Sequence, residues 1–222
     1  MLKTKLTRPT IVTMMGLPGS GKSYTADHLA DMLGLALISD NKVRYSLIKK
    51  PKYDKEENLA VLHMMLMMAE EYLALGIPVM FDTGLNRLPL RKHIRELARK
   101  FKADTVLIWI QIDKETARLR TKITAKSVDG VTSSVSRLTD EVFDDLVKSF
   151  QPPENEDYIV ISGKYTFESQ KPIIIRKLRE QGLVSDDTLK GHVPMPEMMN
   201  LAARAQMHSN RADYTRRNIS IG

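Results

Sequence analysis

A chain of 222 residues holds one domain, or one domain with an appendage, and can bury roughly 70% of its unfolded surface without staples. It has no cysteine, which excludes disulfides and every cysteine nucleophile or metal ligand and fits a reducing interior. Lys and Arg outnumber Asp and Glu 34 to 27, a formal charge of +7, which favours polyanionic partners without excluding small anionic ones.

The chain starts basic and then turns apolar, like a secretory leader. The apolar run Ile11–Met15 is only strand length, however, and flows straight into Gly16-Leu17-Pro18-Gly19-Ser20-Gly21-Lys22-Ser23. That stretch satisfies G-x-x-x-x-G-K-[ST] at every fixed position. Leu29, Met32 and Leu33 then recur at helical spacing, and Gly34 is placed to end the helix. Strand, glycine loop, helix is the context in which this motif binds phosphate. Glycines let the main chain curl so that N–H groups point inward at phosphate oxygens, and the helix start adds unpaired donors and a positive dipole end. Gly16, Leu17, Pro18, Gly19, Ser20, Gly21, Lys22, Ser23 and Tyr24 are therefore the candidate nucleotide-binding residues. Lys22 supplies a cation for the outer phosphates, and the Ser23 hydroxyl is a candidate Mg²⁺ ligand.

Residues 35–39 read as a second buried strand, followed at once by Asp40, Asn41 and Arg44. Ligands gather at the carboxyl ends of strands in open parallel sheets. Asp40 is thus a candidate base for an attacking hydroxyl, and Arg44 a candidate holder of an acidic acceptor group. The alternative is that Asp40 caps the next helix and Arg44 lies on its solvated face. A helix over about 51–75 is predicted to bury Leu59, Leu62, Leu66, Ala69 and Leu73, thickened by methionines. The longest uncharged stretch, 58–69, falls within it and is too short to span a bilayer.

A third strand, Pro78–Phe81, ends in Asp82-Thr83-Gly84-Leu85-Asn86. Asp82 is placed to hold Mg²⁺ or the acceptor, and Thr83 and Asn86 offer hydrogen bonds on the same loop; the alternative is a capped turn. The next helix opens at Pro89, buries Leu90, Ile94, Leu97 and Phe101, and exposes a basic face. Residues 105–110 form the most apolar strand, with Trp109 expected in the core. After a helix carrying Arg118 and Arg120, residues 123–137 turn small, polar and basic, the composition of a lid or a disordered loop. Arg120 and Arg137 flank it, positioned to close on phosphates. A helix over 139–150, a fifth strand over Tyr158–Ile161 and a last helix to about Gln181 complete the domain. Beyond Lys190 the composition is that of a linker, a short amphipathic helix and a basic tail.

GLPGSGKS, SDNKVR after the second strand, FDTGLNRLPLR after the third, ARLR before the lid and FQPP before the last strand together resemble a P-loop kinase of the nucleoside-kinase type. More narrowly they resemble the group containing phage polynucleotide 5′-kinase, bacterial end-healing kinases and zeta toxins. The resemblance covers residues 10–182. It implies an α/β P-loop NTPase fold: a five-stranded parallel sheet in the order 2-3-1-4-5 with helices on both faces and a lid. It also implies ATP with Mg²⁺, held through Ser23 and Asp82, and transfer of the γ-phosphoryl to a hydroxyl. On that basis Lys22, Asp40, Arg44, Arg120 and Arg137 are the catalytic candidates, Arg120 also touches the nucleotide, and Asp40, Asn41, Arg44, Asp82, Thr83 and Asn86 bind the acceptor. The sequence departs from the pattern in three places. Asn41 stands where the family has its acid, with Asp40 one residue earlier. Gly84 replaces the amide of a D-T-N loop. Thr124 replaces a second lid arginine, a role left to Arg137, Lys122 or Lys126.

The expected organisation is a kinase domain over residues 1–189, with a lid at about 121–137, and a basic C-terminal extension over 190–222. The expected protein is cytoplasmic, makes no membrane contact, and takes a nucleic-acid 5′-hydroxyl as acceptor. The alternatives are a small metabolite, nucleotide sugar or antibiotic as acceptor, or a nucleotide-dependent switch ATPase that phosphorylates no acceptor.

Overall fold

The computed structural model describes residues 5–123 and 139–184. The sheet strands are β1 (Thr10–Met15), β2 (Ala36–Ser39), β3 (Val79–Gly84), β4 (Asp104–Gln111) and β5 (Ile159–Ser162). All neighbours pair in parallel, and the order is β2-β3-β1-β4-β5. The helices are α1 (Lys22–Leu33), α2 (Asp40–Leu47), α3 (Lys55–Ala74), α4 (Leu88–Lys100), α5 (Lys114–Ile123), α6 (Asp140–Lys148) and α7 (Phe167–Glu180). The chain divides into two units, Met1–Thr188 and Leu189–Gly222; the second, with the predicted tail, lies outside the described residues. Among the described residues no helix is long and apolar enough to cross a membrane.

Parallel strands covered by helices on both faces are buried throughout, and β1 is buried at every position, the hydroxyls of its two threonines bonded to the Arg8 and Val106 carbonyls. Its alternate residues serve opposite layers. Val12 and Met14 join Leu29 of α1 and Ile174 of α7, whereas Ile11 joins Val61 and Met65 of α3 and Ile94 of α4. At this central strand the chain rises through the core and leaves it at the glycine loop.

Two expectations about helix faces need correction. α3 does not present Leu59, which is 56% exposed; its buried line is Val61, Met65, Ala69 and Leu73, bordered by Leu62 and Leu66. A helix this rich in Leu and Met is apolar on most sides, so the sheet, not the periodicity, selects the buried face. The basic face of α4 is also narrower than its charge suggests. Arg91 is 3% exposed and pairs with Glu156. Trp109, expected in the core, is half-buried at the end of β4.

Candidate nucleotide and acceptor site

The glycine loop leaves the end of β1 and turns into α1. Gly16 and Gly19 have φ of 145° and 79°, left-handed backbone that suits only glycine without strain. Space demands glycine as strongly. A Cβ on Gly16 would lie 2.5 Å from the Ile110 carbonyl oxygen, and one on Gly19 would lie 2.3 Å from that of Ala117. A third glycine, outside the motif, completes the packing: a Cβ on Gly163, just after β5, would sit 2.5 Å from the Ser20 carbonyl oxygen. The loop is thus pressed against the ends of β4 and β5 and the first turns of α5. Gly163→Ala is expected to push the loop off β5 and cost about 1–3 kcal/mol, the usual range for overpacking, read as a fall in Tm.

No side chain caps α1 at Gly21, so its first-turn N–H groups stay available to an anion. The Lys22 ammonium donates to the Gly16 and Leu17 carbonyls, 3.0 Å each. Burial lowers its pKa to about 8, against the opposing pull of Asp82 and Asp40. The Ser20 hydroxyl is buried within the loop without a hydrogen-bond partner. Preformed donors, a desolvated cation and an orphaned hydroxyl make a cradle for phosphate.

Beside this cradle, at the carboxyl ends of β2 and β3, lie the predicted carboxylates. Ser23 Oγ donates to Asp82 Oδ1 at 3.1 Å, and Ser39 Oγ donates to Asp82 Oδ2 at 3.1 Å. Thr83 Oγ1 donates to Asp40 Oδ2 at 3.3 Å. The structure therefore brings Lys22, Ser23, Asp40, Asp82 and Thr83 together from residues up to about 60 positions apart. Burial raises the pKa of both carboxyls. Repulsion from Asp40 adds to the rise at Asp82, while Arg44 and the Thr83 hydroxyl oppose it at Asp40. Asp40 is the first residue of α2, and Ser39 takes the N-cap place without a side-chain capping bond. The N-cap place belongs to Ser39, while the Asp40 carboxyl takes a bond from the Asn41 N–H in the first turn.

Other predicted site residues stand differently. Arg44 does not reach toward an open acceptor. Its residue is 5% exposed, its guanidinium pairs with Glu57 and donates to Asn58 Oδ1 at 2.7 Å, and the Tyr53 ring covers it. The pairing is decided by α3, which no local spacing around Arg44 reveals. Its Nε is buried without a partner. Asn86, expected at the acceptor, brackets the glycine loop instead. Gly16 N donates to Asn86 Oδ1 at 3.0 Å and Asn86 Nδ2 donates to the Gly16 carbonyl at 3.1 Å. This amide continues the β1–β3 pairing one step beyond the ladder, where Met14 faces Gly84. Arg120 Nη1 donates to the Gly163 carbonyl at 2.7 Å, on the Ser20 side of the loop. Tyr24 is exposed and packs on His28. Asn41 follows Asp40 in the first turn of α2. Arg137, Thr124, Lys126 and most of the predicted lid lie outside the described residues.

Sequence reasoning missed Glu57, Gly163 and the Arg91–Glu156 pair. Glu57 lies four residues before Val61, on the face of α3 that the sheet selects and not on the one predicted, and Arg91 falls within the face expected to be basic and exposed; nothing local marked Gly163.

Fold and glycine loop together define the class: a P-loop NTPase fold. A family model described as an AAA domain, AAA_33, matches residues 11–153, more than half of the chain, and the chain belongs to that family. No curated protein sequence matches it. Among similar solved structures is a sugar kinase from Janibacter sp., with 16% identity and TM-score 0.55 over 79% of this chain and 95% of that one. Another is an APS kinase from Mycobacterium tuberculosis in complex with AMPPNP and APS, with 18% identity and TM-score 0.56 over 78% and 98%. Kti12 from Chaetomium thermophilum in complex with ADP-AlF3 shares 16% identity, TM-score 0.60, over 77% and 97%. At these identities the likeness is one of fold.

Proposed function

We propose that this protein is an ATP-dependent kinase that moves the γ-phosphoryl group of ATP to a hydroxyl. The observation that carries the reading is the Lys22–Ser23–Asp82–Asp40 constellation at the mouth of an uncapped helix. The loop amides and Lys22 hold the β- and γ-phosphates. Asp82 and Ser23 offer one carboxylate and one hydroxyl, oxygen donors 3.1 Å apart, a donor set that fits Mg²⁺ sharing its shell with phosphate and water. When bound, the ion would neutralise charge on the phosphates. In the transfer, the acceptor oxygen bonds to the γ-phosphorus, the bond to the β–γ bridging oxygen breaks, and the hydroxyl proton passes to the Asp40 carboxylate. Arg44 serves here as the cation that opposes the burial-driven rise of the Asp40 pKa. Arg120, and Arg137 at the far end of the segment about 121–137, are assigned to closure over the phosphates. Residues 1–189 form the kinase domain in this reading, 190–222 its extension, and the cytoplasm its compartment.

For the acceptor, small-molecule substrates are named for two of the similar structures, a sugar kinase and an APS kinase. They favour a small acceptor over a polynucleotide end. The charge of +7 keeps a nucleic-acid 5′-hydroxyl as the alternative, and affinity for RNA or DNA that falls steeply with salt would support it. A switch ATPase is the second reading, favoured by Asn41 at the position of the family's acid.

The test is label transfer from γ-labelled ATP across a panel of nucleosides, sugars and 5′-hydroxyl oligonucleotides. Wild-type protein is expected to label one acceptor class; slow ATP hydrolysis with no labelled acceptor would favour the switch. Asp82→Asn is expected to lose roughly 10²-fold or more in turnover and yet to melt at a higher temperature, because it removes a buried carboxylate repelled by the half-buried Asp40. The sign follows from linkage. A carboxyl with a raised folded pKa binds more protons folded than unfolded, so stability falls as pH rises from about 4 through the raised range. That slope should shrink in Asp82→Asn.

A further inference from the structure

The outer face of α3 is apolar and uncovered. Residues 58–69 hold no Asp, Glu, Lys or Arg, yet only one side of this stretch is buried, along Val61, Met65 and Ala69. The other side exposes Leu59 at 56%, Met67 at 53% and Met64 at 36%, with His63 among them. Apolar side chains gathered on one face, rather than scattered singly, mark a contact surface. Methionine suits such a surface because its thioether adapts to what it meets. Nothing in the phosphate chemistry described above uses this face. Its ends show what fits it. Lys55, Leu59, His63, Met67 and Glu71 stand four apart and form one ridge along the helix. All five are exposed. The ridge runs from a cation through apolar groups to an anion, and neither Lys55 nor Glu71 has an ion-pair partner among the described residues.

We infer that this face binds a second copy of the chain, α3 against α3 in antiparallel sense, about a two-fold axis beside His63. A two-fold contact uses the same patch on both copies, so the patch has to complement itself. This ridge does so when reversed. Two ridges of residues four apart run alongside each other when their helices cross at about 50°. With His63 at the crossing, Leu59 lies beside Met67 of the second copy, and Lys55 comes within side-chain reach of its Glu71. Each of these contacts occurs twice. A parallel pairing would instead set lysine against lysine and glutamate against glutamate. The approach of Glu56 to Glu70 of the second copy is offset by Lys100, which already pairs with Glu70 at 3.0 Å. Antiparallel packing also brings the positive start of each helix near the acidic end of the other. A foreign partner or a lipid surface would call for no such reversal of sign along the ridge. One helix on one helix is a small contact, so the association is weak, with Kd on the order of 100 μM.

Sedimentation velocity of the full chain from about 5 to about 500 μM tests the pairing. A reversible shift from monomer to dimer is expected across that range. Lys55→Glu and Glu71→Lys should each weaken the dimer roughly tenfold, because each turns attraction into repulsion at two symmetric contacts. The variant carrying both should recover the wild-type affinity to within about threefold. An acid in the first turn and a base in the last both suit the helix dipole, so neither change should lower Tm. His63→Glu sets two acids together at the axis and should leave the protein monomeric throughout. A wild-type chain that stays monomeric up to the highest concentration would overturn the inference. So would a dimer that His63→Glu leaves intact, or losses in the single variants that the double variant does not repair. None of these readouts depends on phosphoryl transfer, so the kinase reading stands or falls separately.

Discussion

Lys22→Ala is expected to lower turnover by roughly 10²- to 10³-fold, the loss typical of removing one preorganised electrostatic group from a reacting centre, while the fold survives. The ammonium is desolvated, so it acts on phosphate through little water. Its cost to the empty protein comes from the same burial. Removing it frees the Gly16 and Leu17 carbonyls, of which Gly16 keeps its bond from Asn86, so Tm should move little. The pH dependence carries a sign that separates this account from a generic loop defect. Lys22 titrates at about 8 when folded and 10.5 as the free side chain. Between those values the unfolded chain holds more protons, so stability rises with pH across the window, and Lys22→Ala should lack that rise. A bound polyphosphate raises the lysine pKa again. ATP affinity is therefore expected to fall as pH climbs past about 8, with proton uptake on binding detectable by calorimetry in buffers of different ionisation enthalpy. Undiminished turnover in Lys22→Ala, or pH-independent affinity, would refute the role.

Arg91→Ala is expected to be the most damaging single change to stability, by about 3 kcal/mol, the low end for breaking a buried ion pair, and to lower Tm by roughly 6–12 °C for a chain of this size. The Arg91 side chain is 3% exposed. Its Nε donates to both Glu156 oxygens, and its Nη groups donate to the carbonyls of Leu85, Gln151 and Pro152. One guanidinium thus stitches α4, the turn after β3 and the segment after α6. Glu156 keeps Arg95 at 2.7 Å, which places the loss at the low end, but the three carbonyls lose their donor. Burial works to raise the Glu156 pKa and is outweighed by the bonds from Arg91 and Arg95. The folded pKa is lowered, so this contribution is present above the ordinary glutamate range and fades as pH falls. The Arg91→Ala penalty should therefore shrink in acid, a trend that urea melts at pH 7 and pH 4 would read. Because Gln151 also donates to the Asn86 carbonyl, the same variant is expected to loosen the Asn86 brace on Gly16.

Much of the fold was legible in residues close together in the chain. The phosphate motif combines glycine conformational freedom, a helix start and an adjacent strand, all within 10–34, and each is a local property. Strand order came from resemblance, and the sheet shows the same order. The carboxylates were legible for a related reason: a polar residue ending an apolar run is the residue that emerges at the binding edge of the sheet, as Asp82 does. Faces and partners were harder. Leu59 and Val61 are equally apolar, and only the sheet beneath α3 decides that Val61 is buried.

By itself, the sequence determined that a glycine loop would stand between strand and helix, with Lys22 and Ser23 at the helix start and Asp82 at a strand end. Those outcomes depend on backbone freedom and periodicity, which neighbouring residues set. Only the tertiary structure decided that Asn86 braces Gly16, that Arg44 is spent on Glu57, that Gly163 supports Ser20, and that Trp109 meets Phe150 beside the loop. Each of these joins residues 13 to 143 positions apart. Their energies come from desolvation and close packing, which exist only once the layers have closed and water has left.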